Sequence, residues 1–145
     1  MYTSIVVGSD GSETAEIALA KAIELASASG AKLHVVSAYS PAPSHVAGGA
    51  PMAEAYQYAG SSFKADSVLE RAMGRAANEN IEIEQHAPKG NPADGLLKVA
   101  EESDADLIVI GSVGMHGAKR FFGSIPNRVS HKSNCDVLIV STDRD

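Results

Sequence analysis

The segment GSVGMHGAKRFFGS, residues 111–124, follows directly on the apolar run Leu107-Ile108-Val109-Ile110, so a buried strand gives way at once to glycine and cations. Gly111, Gly114, Gly117 and Gly123 let backbone N–H groups approach a ligand with no side chain between them, and Ser124 stands where a helix begins. Unpaired N–H groups and the dipole favour an anion at such a start, so phosphate chemistry suits these residue types in this order. The same glycines would also serve a tight turn with nothing bound. Four of the twelve Lys and Arg residues, Lys119, Arg120, Arg128 and Lys132, lie within positions 119–132 of a chain whose net charge is −6. They concentrate positive potential against the global sign. Lys119 and Arg120 fall in the loop and are the better phosphate contacts. Arg128, His131 and Lys132 fall in the following helix, where cations near the C-terminus suit the dipole alone.

A second polar segment, Gly8-Ser9-Asp10-Gly11-Ser12, follows the apolar Ile5-Val6-Val7. Asp10 has two readings. It caps or turns the chain into the first helix, or its carboxylate accepts hydrogen bonds from a ribose or a base, or holds a metal through water. Rival chemistries are excluded by what is missing. No G-x-x-x-x-G-K-[ST] presents a lysine to the outer phosphates, and no G-x-G-x-x-G follows the first strand. No G-x-S-x-G elbow presents a nucleophilic serine. A phosphoacceptor domain would need an aspartate after the third strand, where the chain reads His86-Ala87-Pro88-Lys89. His34, His45, His86 and His116 are scattered without ligand spacing along the chain, so surface or packing roles are expected and no metal site is assigned. Cys135 reads as a small core residue.

The elements that must position these segments follow from periodicity. Apolar runs at 5–7, 33–38, 81–87, 107–110 and 137–140 read as strands. The first, fourth and fifth are continuous, as suits strands covered on both faces, whereas Ile81-Glu82-Ile83-Glu84 alternates and belongs at an edge. Ala15, Leu19, Ala22 and Ala26 share one face of a helix that starts near Ser12 and stops at Gly30. A longer helix is expected over 53–78, with Val68, Leu69, Ala72, Met73 and Ala76 on its apolar side. Asn91-Pro92-Ala93-Asp94 supplies an N-cap, a proline in the first turn and an acid for the dipole. A short helix follows Ser124. Segment 40–51, rich in Pro, Ala, Gly and Ser, reads as a loop after strand two. Alternating strands and helices give an α/β fold with a parallel sheet and helices on both faces.

The 145 residues make one domain, 1–145, large enough to bury roughly two thirds of the surface its unfolded chain exposes. A charge of −6 argues against general binding to nucleic acid or acidic membranes. No apolar stretch approaches the ~20 residues of a membrane span. The lone cysteine and the absence of a basic, apolar leader point to a cytoplasmic protein.

Val6-Val7-Gly8-Ser9-Asp10-Gly11-Ser12 at the front, with Gly111-Ser-Val-Gly114, Gly123-Ser124-Ile-Pro-Asn-Arg-Val-Ser and Cys135-Asp-Val-Leu-Ile-Val140 at the back, resembles the universal stress protein family over the whole chain. The nucleotide-binding branch of that family carries G-x-x-G, nine residues, then G-[ST]; here the spacer, 115–122, has eight. That difference bears on the outer phosphates more than on adenosine. The resemblance implies a five-stranded parallel sheet in the order 3-2-1-4-5. It implies that Gly8, Ser9 and Asp10 border adenine and ribose, that Ala38 packs on the base, and that Gly111, Ser112, Gly114, Gly123 and Ser124 hold ribose and phosphates. It also implies a homodimer paired through strand five, Val137-Leu138-Ile139-Val140-Ser141.

The leading expectation is a regulatory module for an adenine nucleotide, ATP or AMP, with Mg2+ as an option beside ATP. Cyclic AMP is an alternative, because a compact single phosphate asks less of the shorter loop. A nucleotide-free dimeric interaction protein is another. No catalytic base for hydrolysis is found, so ATP turnover would be slow and incidental. An adenylating or pyrophosphate-cleaving enzyme would want a fuller serine and glycine loop than residues 8–12 supply.

Overall fold

The computed structural model describes residues 1–39, 51–112 and 125–142, with 51–63 described by their backbone alone. The chain runs β1 (Ser4–Gly8), α1 (Glu13–Ser29), β2 (Lys32–Val36), α2 (Pro51–Ala76), a 3-10 turn at Ala77–Glu79, β3 (Ile83–His86), α3 (Pro92–Glu102), β4 (Leu107–Gly111), α4 (Ile125–Lys132) and β5 (Asp136–Val140). All five strands lie parallel in the order β3-β2-β1-β4-β5.

The continuous apolar runs are explained by two cores, one on each face of the sheet. On one face Ile5, Val7, Leu33, Val35, Leu107 and Val109 pack against Ala18, Leu19 and Ala22 of α1 and Leu69 and Ala72 of α2. On the other, Val6, Val36, Ile108 and Ile110 meet Leu96 and Val99 of α3 and Val129 of α4. Successive residues at 5–7 and 107–110 point into opposite cores, so these positions are all apolar. Ser12 caps α1 by accepting the Ala15 N–H at 3.2 Å, and Gly30 closes it at φ +74°. Asn91 Oδ1 accepts the N–H groups of Ala93 and Asp94 at 2.8 and 3.3 Å, with Pro92 opening α3.

Several expectations differ, among them the second strand, which spans Lys32–Val36 rather than 33–38. The third strand is shorter than 81–87, because it stands at an edge with one neighbour to pair. Its pairing with β2 nevertheless continues beyond the regular ladder, as Ser37 donates to the His86 carbonyl at 2.9 Å and Tyr39 to that of Pro88 at 3.0 Å. The long helix begins at Pro51, the last residue of the expected loop, since proline suits a first turn; the rest of that loop, 40–50, lies outside the described residues. Finally, β5 is not covered on both faces: Leu138 and Ile139 are 36% and 44% exposed.

At the amino ends of the strands the sheet is tied by side chains. Asp106 accepts the Thr3 N–H at 2.9 Å, the Thr3 hydroxyl at 3.1 Å and the Ser4 N–H at 3.1 Å, which joins the starts of β1 and β4. Tyr2 donates its hydroxyl to Asp136 at 2.9 Å, reaching β5. Burial pushes the Asp106 carboxyl up, but the hydrogen bonds from Thr3 and Ser4 outweigh it and hold it below the usual carboxylate value. A folded-state value below the unfolded one gives stability that is present above the unfolded pKa and lost as pH falls through the folded one. Asp106→Asn is therefore expected to cost about 1–3 kcal/mol at neutral pH. Urea titrations below pH 4 should show the difference between wild type and variant shrinking; a gap independent of pH would refute the role given to the charged carboxylate.

Candidate functional site

The sheet divides at the carboxyl ends of its two central strands. The β1–β4 ladder has its last pair at Val7 and Val109. Beyond it Gly8 stays paired with Val36 of β2, and Gly111 stays paired with Val140 of β5. Each central strand thus follows its outer neighbour, and a crevice opens between them. The chain leaves β1 for α1 on one face and leaves β4 toward α4 on the other, as it must where the strand order reverses, and this is where α/β sheets of this type bind ligands.

The β1 side is built from tight turns. Ser9 is almost buried; its N–H donates to the Val36 carbonyl at 2.9 Å and its hydroxyl accepts the Gly11 N–H at 3.3 Å. Asp10 is exposed and accepts the Ser12 N–H at 2.9 Å, so the turn reading of this carboxylate is realised. Gly11 has φ +83°, and a Cβ placed on it would lie 2.8 Å from both Val68 Cγ2 and Arg71 Nη2 of α2. A guanidinium therefore stands beside the β1–α1 turn. No sequence signal marked Arg71, because its approach depends on how α2 docks.

The β4 side is equally close. A Cβ on Gly111 would stand 3.1 Å from Thr142 Cγ2 and 3.7 Å from the Thr14 carbonyl oxygen, so this glycine lies between the first turn of α1 and the residues after β5. Ser112 donates its N–H to the Val140 carbonyl at 2.8 Å, and its hydroxyl accepts the Thr142 N–H at 3.1 Å. Ala38 is half-buried beside Gly95, where an added Cβ would meet Ala38 at 3.8 Å and Pro88 Cγ at 2.7 Å. Gly8, Ser9, Asp10, Ala38, Gly111 and Ser112 thus all follow or end strands at the carboxyl end of the sheet. Gly114, Lys119, Arg120, Gly123 and Ser124 lie outside the described residues.

The remaining cations behave structurally. Arg128 pairs with Asp94 at 2.9 Å, which links α4 to the start of α3, while His131 and Lys132 occupy the last turn of α4. Cys135 is partly buried against the second core. His45 and His116 lie outside the described residues, whereas His34 and His86, 52 positions apart and unmarked by any spacing, meet across the β2–β3 pair with Nδ1 and Nε2 3.0 Å apart. Glu84 joins them, and Lys32 lies 3.4 Å from its Oε2. The Lys32 ammonium holds the Glu84 carboxyl below its usual value, whereas burial, reinforced by His86, pushes His34 down.

A doubly wound parallel sheet in this strand order, with small polar residues at its switch point, defines the class of open α/β domains. Within that class the sequence pattern of the universal stress protein family matches residues 1–141, and the chain belongs to that family. It is 38% identical over 144 residues to universal stress protein Rv1636 of Mycobacterium tuberculosis H37Rv, covering 97% of each chain. Among solved structures it is similar to a universal stress protein in complex with cAMP, with TM-score 0.77, 38% identity and coverage of 98% of this chain and 99% of that one. It is also similar to the Archaeoglobus fulgidus universal stress protein in complex with dAMP, with TM-score 0.67, 29% identity and coverage of 96% and 98%.

The Gly11 backbone makes a direct prediction. Gly11→Ala puts a Cβ in a left-handed conformation and against α2, so a loss of about 1–2 kcal/mol from the backbone alone is expected. Denaturant unfolding measures it; an unchanged midpoint would mean that the turn relaxes freely and does not fix the β1 side of the crevice.

Proposed function

We propose that this chain is a regulatory adenine-nucleotide-binding stress protein, with the nucleotide seated in the crevice between β1 and β4. The observation that carries the reading is the division of the ladder after Val7 and Val109, which ends the β1–β4 pairing before Gly8 and Gly111. Backbone N–H groups without side chains in front of them suit phosphate and ribose oxygens. In this reading Gly8, Ser9 and Asp10 border the base and ribose, and Ala38 packs on the base. Gly111, Ser112, Gly114, Gly123 and Ser124 hold ribose and phosphate, with Lys119 and Arg120 as counter-charges. Asp10 keeps its turn and offers its second carboxylate oxygen outward.

Two similar structures hold cAMP and dAMP, each with one phosphate. Together with the eight-residue spacer at 115–122, this favours AMP or cyclic AMP over ATP with Mg2+. The role is binding rather than catalysis, because the acid nearest the crevice in the sequence pattern, Asp10, is assigned to the base and ribose side. A cytoplasmic location fits the single cysteine and an acidic chain. No helix among the described residues is long and apolar enough to cross a membrane.

Protein purified without added nucleotide and then denatured should release AMP, cyclic AMP or ATP, identified by mass spectrometry. Emptied protein should gain stability from the same nucleotide, by about 2.7 kcal/mol at a hundredfold excess over Kd, and Gly114→Val should remove that gain. An empty protein that no adenine nucleotide stabilises would leave the glycines after β4 with a turn-forming role alone.

The proposed assembly is a homodimer through β5. This edge strand exposes Leu138 and Ile139, and a second copy would cover them and pair its free backbone groups. Leu138→Glu combined with Ile139→Lys should halve the mass seen by light scattering while circular dichroism keeps its folded signal; a wild type that is already monomeric at micromolar concentration would refute this assembly.

A further inference from the structure

On the edge formed by β2 and β3, where Val36 stands between Gly8 and His86 in the register, three side chains converge that the nucleotide reading does not use. In the β2–β3 register His34 faces Glu84 and Val36 faces His86, so His34, Glu84 and His86 stand on one face of the sheet. His34 Nδ1 lies 3.0 Å from His86 Nε2 and 3.3 Å from Glu84 Oε2, and His86 Nε2 lies 3.6 Å from the same oxygen. His34 is buried at 4% exposure, whereas His86 and Glu84 open toward solvent at side-chain exposures of 26% and 50%.

We infer that His34, Glu84 and His86 form a binding site for a zinc-class divalent transition ion, with two imidazoles and one carboxylate as ligands and the fourth position open to solvent.

The distances carry this. Four ligands about 2.0–2.1 Å from a tetrahedral ion stand about 3.3 Å from one another. Separations of 3.0, 3.3 and 3.6 Å bracket that edge length, so the three donors already outline one face of the tetrahedron. The donor set selects the ion. Imidazole nitrogens suit zinc, copper, nickel and cobalt, whereas calcium and magnesium take oxygen ligands. The backbone supplies rigidity, since adjacent parallel strands hold His34 opposite Glu84, and one ligand is fixed by burial. Metal-free, the same atoms are held by weaker partners: the two rings share one hydrogen bond, and Glu84 attracts Lys32. Lys32 Nζ is also 3.6 Å from Glu82 Oε1, so when an ion takes Glu84 the ammonium retains a carboxylate. Binding would join an edge strand to its neighbour, with no bond made or broken beyond coordination and the loss of ligand protons.

Untagged full-length protein, stripped with chelator and dialysed, should take up one equivalent of zinc per chain by elemental analysis. With cobalt(II) it should show the intense visible bands of a four-coordinate ion. His86→Ala and Glu84→Gln, both at solvent-facing positions, should each weaken zinc binding at least tenfold while thermal unfolding of the metal-free chain stays cooperative. The pair His45→Ala and His116→Ala should leave affinity unchanged. No uptake by wild type, or uptake that survives both ligand substitutions, would overturn the assignment and leave a hydrogen-bonded histidine pair. Nucleotide release and nucleotide-dependent stability are read separately, so neither outcome depends on the crevice.

Discussion

The structure depends on β1 being hydrogen-bonded on both edges and covered on both faces. A strand so placed must bury its interior side chains, and Ile5, Val6 and Val7 are fully buried, while Ser4 at its start gives its hydroxyl to the Ser103 carbonyl. Its ladder to β4 must nevertheless end somewhere, because the chain departs from the two strands toward opposite faces. The end comes after Val7 and Val109, and each strand then keeps its outer partner. The crevice is thus a consequence of topology. What sequence adds is that the positions beside it are Gly, Ser and Asp; a Cβ on Gly8 would crowd Leu96 and one on Gly111 would crowd Thr142.

The two ends of the sheet divide the work. The amino end is closed by specific ties: Asp106 to Thr3 and Ser4, and Tyr2 to Asp136. These bonds need full-length side chains and a charge. The carboxyl end is joined by short contacts among Ser9, Gly11, Ser112 and Thr142, which occupy little space. The amino-end ties therefore use longer side chains, whereas the residues beside the crevice are small.

Much of this was legible because it is local. The caps Ser12 and Asn91, the stop at Gly30 and the buried runs of β1 and β4 follow from chemistry within a few residues, and the structure has them where the pattern puts them. The glycines at 8 and 111 could be flagged from their place after apolar runs. What escaped was set by tertiary register. His34 and His86 are separated by a helix, and only the pairing of Leu33 with Ile83 brings them to one face. Arg71 reaches Gly11 only once α2 has docked on the sheet. The exposure of β5 was hidden for another reason: an apolar run declares that a strand wants cover, and does not say what supplies it.

The two edges of the sheet make that point together. Along β3 the face shared with β2 carries Lys32 beside Glu82 and Glu84, then His34 and His86. Charged groups on an edge discourage another strand from pairing there, since their solvation would be lost on contact. At β5 the corresponding positions are Val137, Leu138 and Ile139, with the charge of Asp136 drawn to the amino end by Tyr2. One chain therefore guards one edge and leaves the other apolar, and the difference is directional. It permits a closed pair through β5, with β3 facing outward on both copies, but not an open stack in which every sheet continues into the next.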